Sequence, residues 1–367
     1  MTQLIGTRVR ALREARGFTQ DHLARQLGFN DRQTLSAIET GERRVSAEEL
    51  LLLVRHLGAS LDDFTDPFRL DGEGKFSWRQ TNVGTPRLSD YERTAGRWIA
   101  VFRTLAHQIG RKTPLLRRSL GLTRQSSYED AAAAGERFAA EFDLGLTPAL
   151  SLADLIERQL GILVLMVDAI DGVSGAACRL PELDVVLINR HEVPGRRHFD
   201  LAHELFHILT WDTMPPEHVE DAAETSKNRI EQLANNFASA VLMPAKALSR
   251  FGGWSGFDDE KLIAKINSAA RELLVTASAL KWRLVATGQL SGPLARSISD
   301  ASLRHNGRED SVTTAPPLFS KPFLEVIADG MRQGHISERK VSSLLDVPTD
   351  EFAHLFGVYG LAGPDEL

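Results

Sequence analysis

The chain has 367 residues, 43% hydrophobic and 25% charged, with a net charge of −6. This is ordinary soluble globular composition, long enough for two or three domains. It excludes a polycation that coats nucleic acid, so any DNA-facing surface must be a local patch. The lone cysteine, Cys178, excludes an intramolecular disulfide and a cysteine-rich zinc site. No apolar run approaches the ~18 residues of a membrane span, and Met1–Gly17 carries no signal-peptide core, so a cytoplasmic protein without a membrane partner is expected.

Residues 1–66 read as short helices. Leu4–Arg16 is one. Thr19 caps Gln20–Leu27, which Gly28 ends; Asn30 or Asp31 caps Arg32–Thr40, which Gly41 stops; Ser46–Leu57 is a fourth. Two short helices across a glycine turn predict a helix-turn-helix. Residues 1–45 carry eight arginines against five acids, a weakly basic balance. The series Phe18-Thr19-Gln20, Leu23-Ala24, Leu27-Gly28, Leu35-Ser36, Ile38-Glu39 and Gly41 resembles the Cro/repressor-type (XRE) DNA-binding domain. The resemblance implies a double-stranded operator as partner. Arg32, Gln33 and Thr34 would face base edges, Gln20 a phosphate, and Ser36 is a further contact. A homodimer on paired half-sites goes with it.

Residues 67–126 read as a linker and a packing helix. Asp71–Gly84, rich in Gly, Ser, Asn and Lys, is expected as an exposed linker or hairpin. Ser89–Ile109 is helical, with Ser89 as its cap. Ser127–Phe142 is an alanine-rich helix whose residues 131–134 suit close packing, and Leu152–Leu160 is another helix.

Gly161–Val167, Gly172–Leu180 and Asp184–Asn189 read as three strands of an antiparallel meander, with Cys178 in the core and Gly175 at a bend. An amphipathic helix follows and holds His203-Glu204-Leu205-Phe206-His207. Positions i and i+4 share a helix face, so two imidazoles can meet one metal ion with a carboxylate base beside them. A third ligand must come later, from Asp212, Glu217, His218, Glu220, Asp221, Glu224 or Glu231. Glu231 stands out at the edge of the buried stripe of the Asn228–Met243 helix, where a carboxylate is costly unless paired or metal-bound. His191, His198 and His218 flank the motif as oxyanion candidates, and Arg196 and Arg197 as substrate holders.

Phe199-x-x-Ala202-His-Glu-Leu-x-His207, with Glu231-x-x-Ala234-Asn235-x-Phe237-Ala238 and Leu242-Met243-Pro244, resembles the ImmA/IrrE metallopeptidases. The resemblance implies Zn2+, or another divalent ion such as Mn2+, on His203, His207 and Glu231. It also implies Glu204 as the catalytic carboxylate and a repressor protein as substrate. A residue often Gly in that family is Phe206 here, which either crowds the cleft or closes the core. Residues 264–290 resemble the helix-turn-helix-like unit that ends this family.

The expected fold is mainly α with a small α+β domain. A helix-turn-helix bundle at 1–66 is followed by the 67–126 connection and a zincin-like metallopeptidase domain at 127–290 with a short antiparallel sheet. A linker at 291–317 and a small helical module at 318–367 complete it. The expected function is a DNA-bound regulator that cleaves a repressor, or itself, in a stress or mobile-element response. The alternative is a regulator whose metal site is sensory or structural.

Overall fold

The computed structural model describes residues 2–111, 115–221, 228–303 and 315–363. They group into two compact units. One comprises residues 1–75, 84–112 and 325–367, the other 76–83 and 113–324. Among the described residues no helix is long and apolar enough to cross a membrane.

The first unit opens with α1 (Thr2–Ala15), α2 (Gln20–Gln26), α3 (Arg32–Glu39), α4 (Ala47–Leu57) and α5 (Asp62–Thr65). Side-chain caps set the starts of α2, α3 and α4, because each cap satisfies a backbone N–H that the helix cannot. Thr19 accepts from the His22 amide, Asp31 from Thr34, and Ser46 and Glu49 form a reciprocal capping box. Val9, Leu23, Leu35, Ile38, Leu53 and Phe64 close the core.

A long helix, α6 (Thr85–Gln108), starts four residues before the expected Ser89 cap, with Pro in its first turn. The C-terminal helices Glu338–Leu345 and Phe352–Val358 belong to this same unit rather than to a module of their own. Arg111 pairs with Glu325 at 3.1 Å, and Lys340 lies 5.8 Å over the Phe68 ring.

The second unit holds a five-stranded sheet of β1 (Lys75–Gln80), β2 (Leu163–Val167), β3 (Val173–Arg179), β4 (Asp184–Asn189) and β5 (Val219–Asp221), in the order β2-β4-β3-β1-β5. Its pairing is mixed. β3 runs antiparallel to β4 as expected, but β2 lies parallel to β4 and β1 parallel to β5. β4 lies between β2 and β3, so β2 pairs with the strand two places on in the chain and not with the next one, as a meander would have it. β1 is the larger departure. Residues 76–80 are all buried, where the composition of 71–84 suggested an exposed linker.

Two helices pack on this sheet unit and carry the site, Pro194–Thr210 and Arg229–Leu242. The second lies against α7 (Tyr128–Glu141) through Ala131, Ala134 and Gly135. A Cβ on Gly135 would stand 2.6 Å from the Phe237 carbonyl oxygen, so the helices meet backbone to backbone.

Residues 291–303, expected as part of a linker, instead fold into the core. Ser291 caps the helix Gly292–Ser297, and Ala295, Ile298 and Leu303 are buried. Their spaced apolar side chains were masked by Gly, Ser and Pro neighbours. Residues 304–314 of that expected linker lie outside the described residues.

Half-buried Glu157 accepts from the Ser320 hydroxyl at 2.7 Å and the Val164 amide at 3.2 Å. Burial outweighs both bonds and pushes its carboxyl up to about 7. The folded state therefore holds this proton more tightly than the unfolded chain. The stability it contributes is full below the unfolded value and is lost as pH rises through about 7. Glu157→Gln, whose amide oxygen can keep both bonds, should gain about 1–3 kcal/mol on the wild type between pH 5 and pH 8. Urea unfolding at both pH values reads this; curves that stay parallel would contradict it.

Candidate metal centre and DNA-reading helix

His203 and His207 sit one turn apart on the Pro194–Thr210 helix, with their Nε2 atoms 3.1 Å apart. Glu231, in the first turn of Arg229–Leu242, closes the triangle. Its Oε2 lies 3.1 Å from His203 Nε2 and its Oε1 3.3 Å from His207 Nε2. All three side chains are buried and their ligating atoms lie within 4.8 Å of one another. Ligands at 2.0–2.1 Å around a tetrahedral ion stand about 3.3 Å apart, close to these separations.

The protonation states agree. Burial pushes His203 down to about 3, and the Arg79 charge adds to the shift, so the imidazole is neutral. Its Nδ1–H donates to Asn235 Oδ1 at 3.0 Å, which leaves the Nε2 lone pair facing the triangle. Burial works to raise the Glu231 carboxyl, but its contacts with His203 and His207 outweigh burial and lower it. Two imidazoles and a carboxylate converging on one point are a donor set for a divalent cation, so these residues fit a metal.

Glu204 is 1% exposed and lies beneath β3. A Cβ on Gly175 would fall 2.9 Å from the Leu187 carbonyl oxygen and 3.7 Å from Glu204 Cγ. Gly175 thus serves less as a bend than as the place where β3 comes close to the Leu187 carbonyl of β4, with Glu204 in ordinary contact below. Phe206 turns the other way, 5.7 Å from the Phe237 ring, and closes the core instead of crowding the cleft. A cleft of about 450 Å³ lies beside the triangle, with Arg79, Phe199, Asn235 and Trp282 among its walls; His203, His207, Glu204 and Glu231 lie behind that lining. Trp282 is 46% exposed.

The flanking candidates have other occupations. His191 pairs with Asp168, His198 bonds the Leu274 carbonyl at 2.8 Å, and His218 bonds the Phe76 carbonyl. Arg197 ties down the Arg190 and Glu192 carbonyls. Arg196 lines the cleft beside Asp200. Asp212 pairs with Arg179 at the surface and Glu217 is exposed. The side chains of Glu220, Asp221 and Glu224 lie outside the described residues. The residue that sequence reasoning missed is Arg79 of β1. Its Nη1 is 2.7 Å from His203 Nε2. The alternation Phe76, Trp78, Gln80 in a short run was the only sequence signal for that strand.

In the first unit, Arg32 and Gln33 stand exposed at the start of α3. Thr34 and Ser36 are half-buried, and the Thr34 hydroxyl donates to Asp31 at 3.2 Å. Gln20 Nε2 donates to Glu39 Oε2 at 2.9 Å, and Glu39 in turn pairs with buried Arg13 at 2.6 Å. Gln20 is therefore braced from beneath by a buried ion pair.

Comparisons with known proteins fall on the same two regions. Residues 4–66 match the family model of the helix-turn-helix domain, and residues 158–284 that of the IrrE N-terminal-like domain. Over 79 residues the chain is 40% identical to the radiation response metalloprotease IrrE of Deinococcus deserti, covering 20% of this chain and 28% of that protein. The Deinococcus radiodurans protein of the same name is 43% identical over 79 residues, covering 20% and 24%. The chain thus spans about a quarter of the length of these relatives. A Mycobacterium tuberculosis transcriptional regulator shares 20% identity over 55% of each chain at a TM-score of 0.33. PlcR of Bacillus thuringiensis, solved with the peptide PapR7 and DNA, shares 11% over 97% of this chain and 95% of that one, at a TM-score of 0.17. The chain therefore joins a helix-turn-helix domain at its N-terminal end to a metalloprotease-related, IrrE-like domain in its centre.

Proposed function

We propose that the protein is a DNA-bound regulator with a zinc-dependent endopeptidase, which hydrolyses a peptide bond in a repressor or in itself and so relieves repression. The observation that carries this is the buried convergence of His203, His207 and Glu231 beside buried Glu204. These three side chains would hold Zn2+, with Mn2+ as the other candidate. When bound, the ion supplies a Lewis acid and lowers the pKa of water to about 7. Glu204 takes the proton from the attacking water and passes it to the leaving amine. Asn235 fixes the His203 tautomer. Phe199 and Trp282 offer apolar walls to a peptide in the cleft. A stress or mobile-element response fits a regulator that destroys a repressor. On DNA, Arg32 and Gln33 at the head of α3 read bases, with Thr34, Ser36 and Gln20 supporting contacts. Two copies on paired half-sites are the expected assembly, and the cytoplasm is where both operator and repressor are found.

Glu204→Gln should retain metal and operator binding and lose cleavage of a co-encoded repressor by about a thousandfold or more. Incubation of the purified proteins, followed by mass spectrometry of the fragments, checks this. Undiminished cleavage by the variant would refute the role of Glu204.

A second reading is a regulator whose metal site only senses. The contact of Arg79 with His203 favours it, since a cation already lies against a ligand. It expects no proteolysis, and operator affinity that changes with metal in gel shifts at fixed salt.

A further inference from the structure

The IrrE-like match begins at residue 158. β1 nevertheless brings a side chain from far upstream into the centre. Arg79 Nη1 lies 2.7 Å from His203 Nε2 and 3.7 Å from Glu231 Oε2. The side chain is held there rather than draped across the opening. Arg79 is 8% exposed and its strand is paired to β5. Its Nε faces Asp200 Oδ1 at 3.4 Å, and Asp200, one turn before His203, is itself 1% exposed.

A guanidinium does not give up its proton in a protein, so the hydrogen bond has one sense: Arg79 donates and His203 Nε2 accepts. Nε2 has one lone pair, because Asn235 holds the proton on Nδ1. A divalent cation ligated by His203 needs that same lone pair. Charge points the same way. Arg79 partly neutralises Glu231 in a buried setting, and a guanidinium and a dication repel each other strongly where water is scarce.

We propose that Arg79 is a built-in competitor of the metal: guanidinium and divalent cation contend for His203 Nε2 and Glu231, and the ion binds only by displacing Arg79 into the cleft that it already lines. The proposal rests on reading the three side chains as a metal centre. Its consequence is regulatory. Displacement subtracts from the affinity that a buried three-ligand site would otherwise have. Occupancy then follows the free metal concentration instead of saturating at trace levels. β1 becomes the element that makes the centre conditional.

The test is chelator competition with Zn2+ and with Mn2+ on the full chain, at one fixed pH. Arg79→Gln removes the competing charge and should bind the ion about tenfold or more tighter than wild type. Arg79→Lys keeps the charge without the fork and should fall between them. Equal or weaker binding by a folded Arg79→Gln overturns the proposal. Should that variant not fold, the wild type decides. Crystals grown with and without Zn2+ should show Arg79 Nη1 beyond hydrogen-bonding reach of His203 Nε2 only when zinc is present, and an unmoved guanidinium overturns the proposal equally. Unchanged affinity beside intact repressor cleavage sinks the competitor alone. Absence of metal from wild type and variant alike sinks the metal-centre reading with it.

Discussion

Glu231→Ala should lower divalent-metal affinity by more than about a hundredfold, because losing a ligand costs more than the 10–100-fold typical of a supporting partner. The carboxylate is the only oxygen donor in the cluster of three, and each of its oxygens faces one imidazole. Without it, two imidazoles remain, and two ligands hold an ion poorly against water. Asn235→Ala should show the smaller, supporting effect of about 10–100-fold, since it frees the His203 ring to take the wrong tautomer. Competition with a fluorescent chelator at fixed pH measures both. A Glu231→Ala protein that binds zinc as tightly as wild type would remove the third ligand from the account.

The second large effect lies in the helix-turn-helix unit. Glu39→Ala should destabilise that unit by about 3–5 kcal/mol, the cost of stranding one partner of a buried ion pair. Arg13 and Glu39 are both 7% exposed, and their side chains meet through two nitrogens, at 2.6 and 3.1 Å. Their bond and mutual attraction outweigh burial and hold the Arg13 guanidinium charged. An arginine keeps its proton in a protein even without that partner, so a stranded charge cannot be relieved by proton loss. The same substitution releases Gln20, so operator affinity should fall even at temperatures where the unit stays folded. Thermal unfolding beside a gel shift separates the two losses. An unchanged melting point would mean that water reaches Arg13.

Much of this was legible in the sequence where physics is local. Thr19, and Asn30 or Asp31, announced two helices of the first unit as caps, of which the structure uses Thr19 and Asp31, because a cap and its helix lie within four residues. The three apolar runs before residue 190 announced β2, β3 and β4. The spacing of His203 and His207 implied a shared face, and the cost of burying a carboxylate singled out Glu231. What stayed hidden is non-local. The Lys75–Gln80 run is polar by composition, and only its place between β3 and β5, both far downstream in the chain, makes it a buried strand. Arg79 was invisible for that reason. The direction of β2 depends on a connection rather than on its own residues. The burial of Ala295, Ile298 and Leu303 depends on the surface they meet.

X-ray absorption at the zinc edge of the purified full chain addresses the central claim most directly. The account predicts one zinc per chain, with two imidazole nitrogens and a carboxylate oxygen in its first shell at about 2.0–2.2 Å. A spectrum that loses its imidazole signature neither in His203→Ala nor in His207→Ala, or one with oxygen ligands alone, would contradict it.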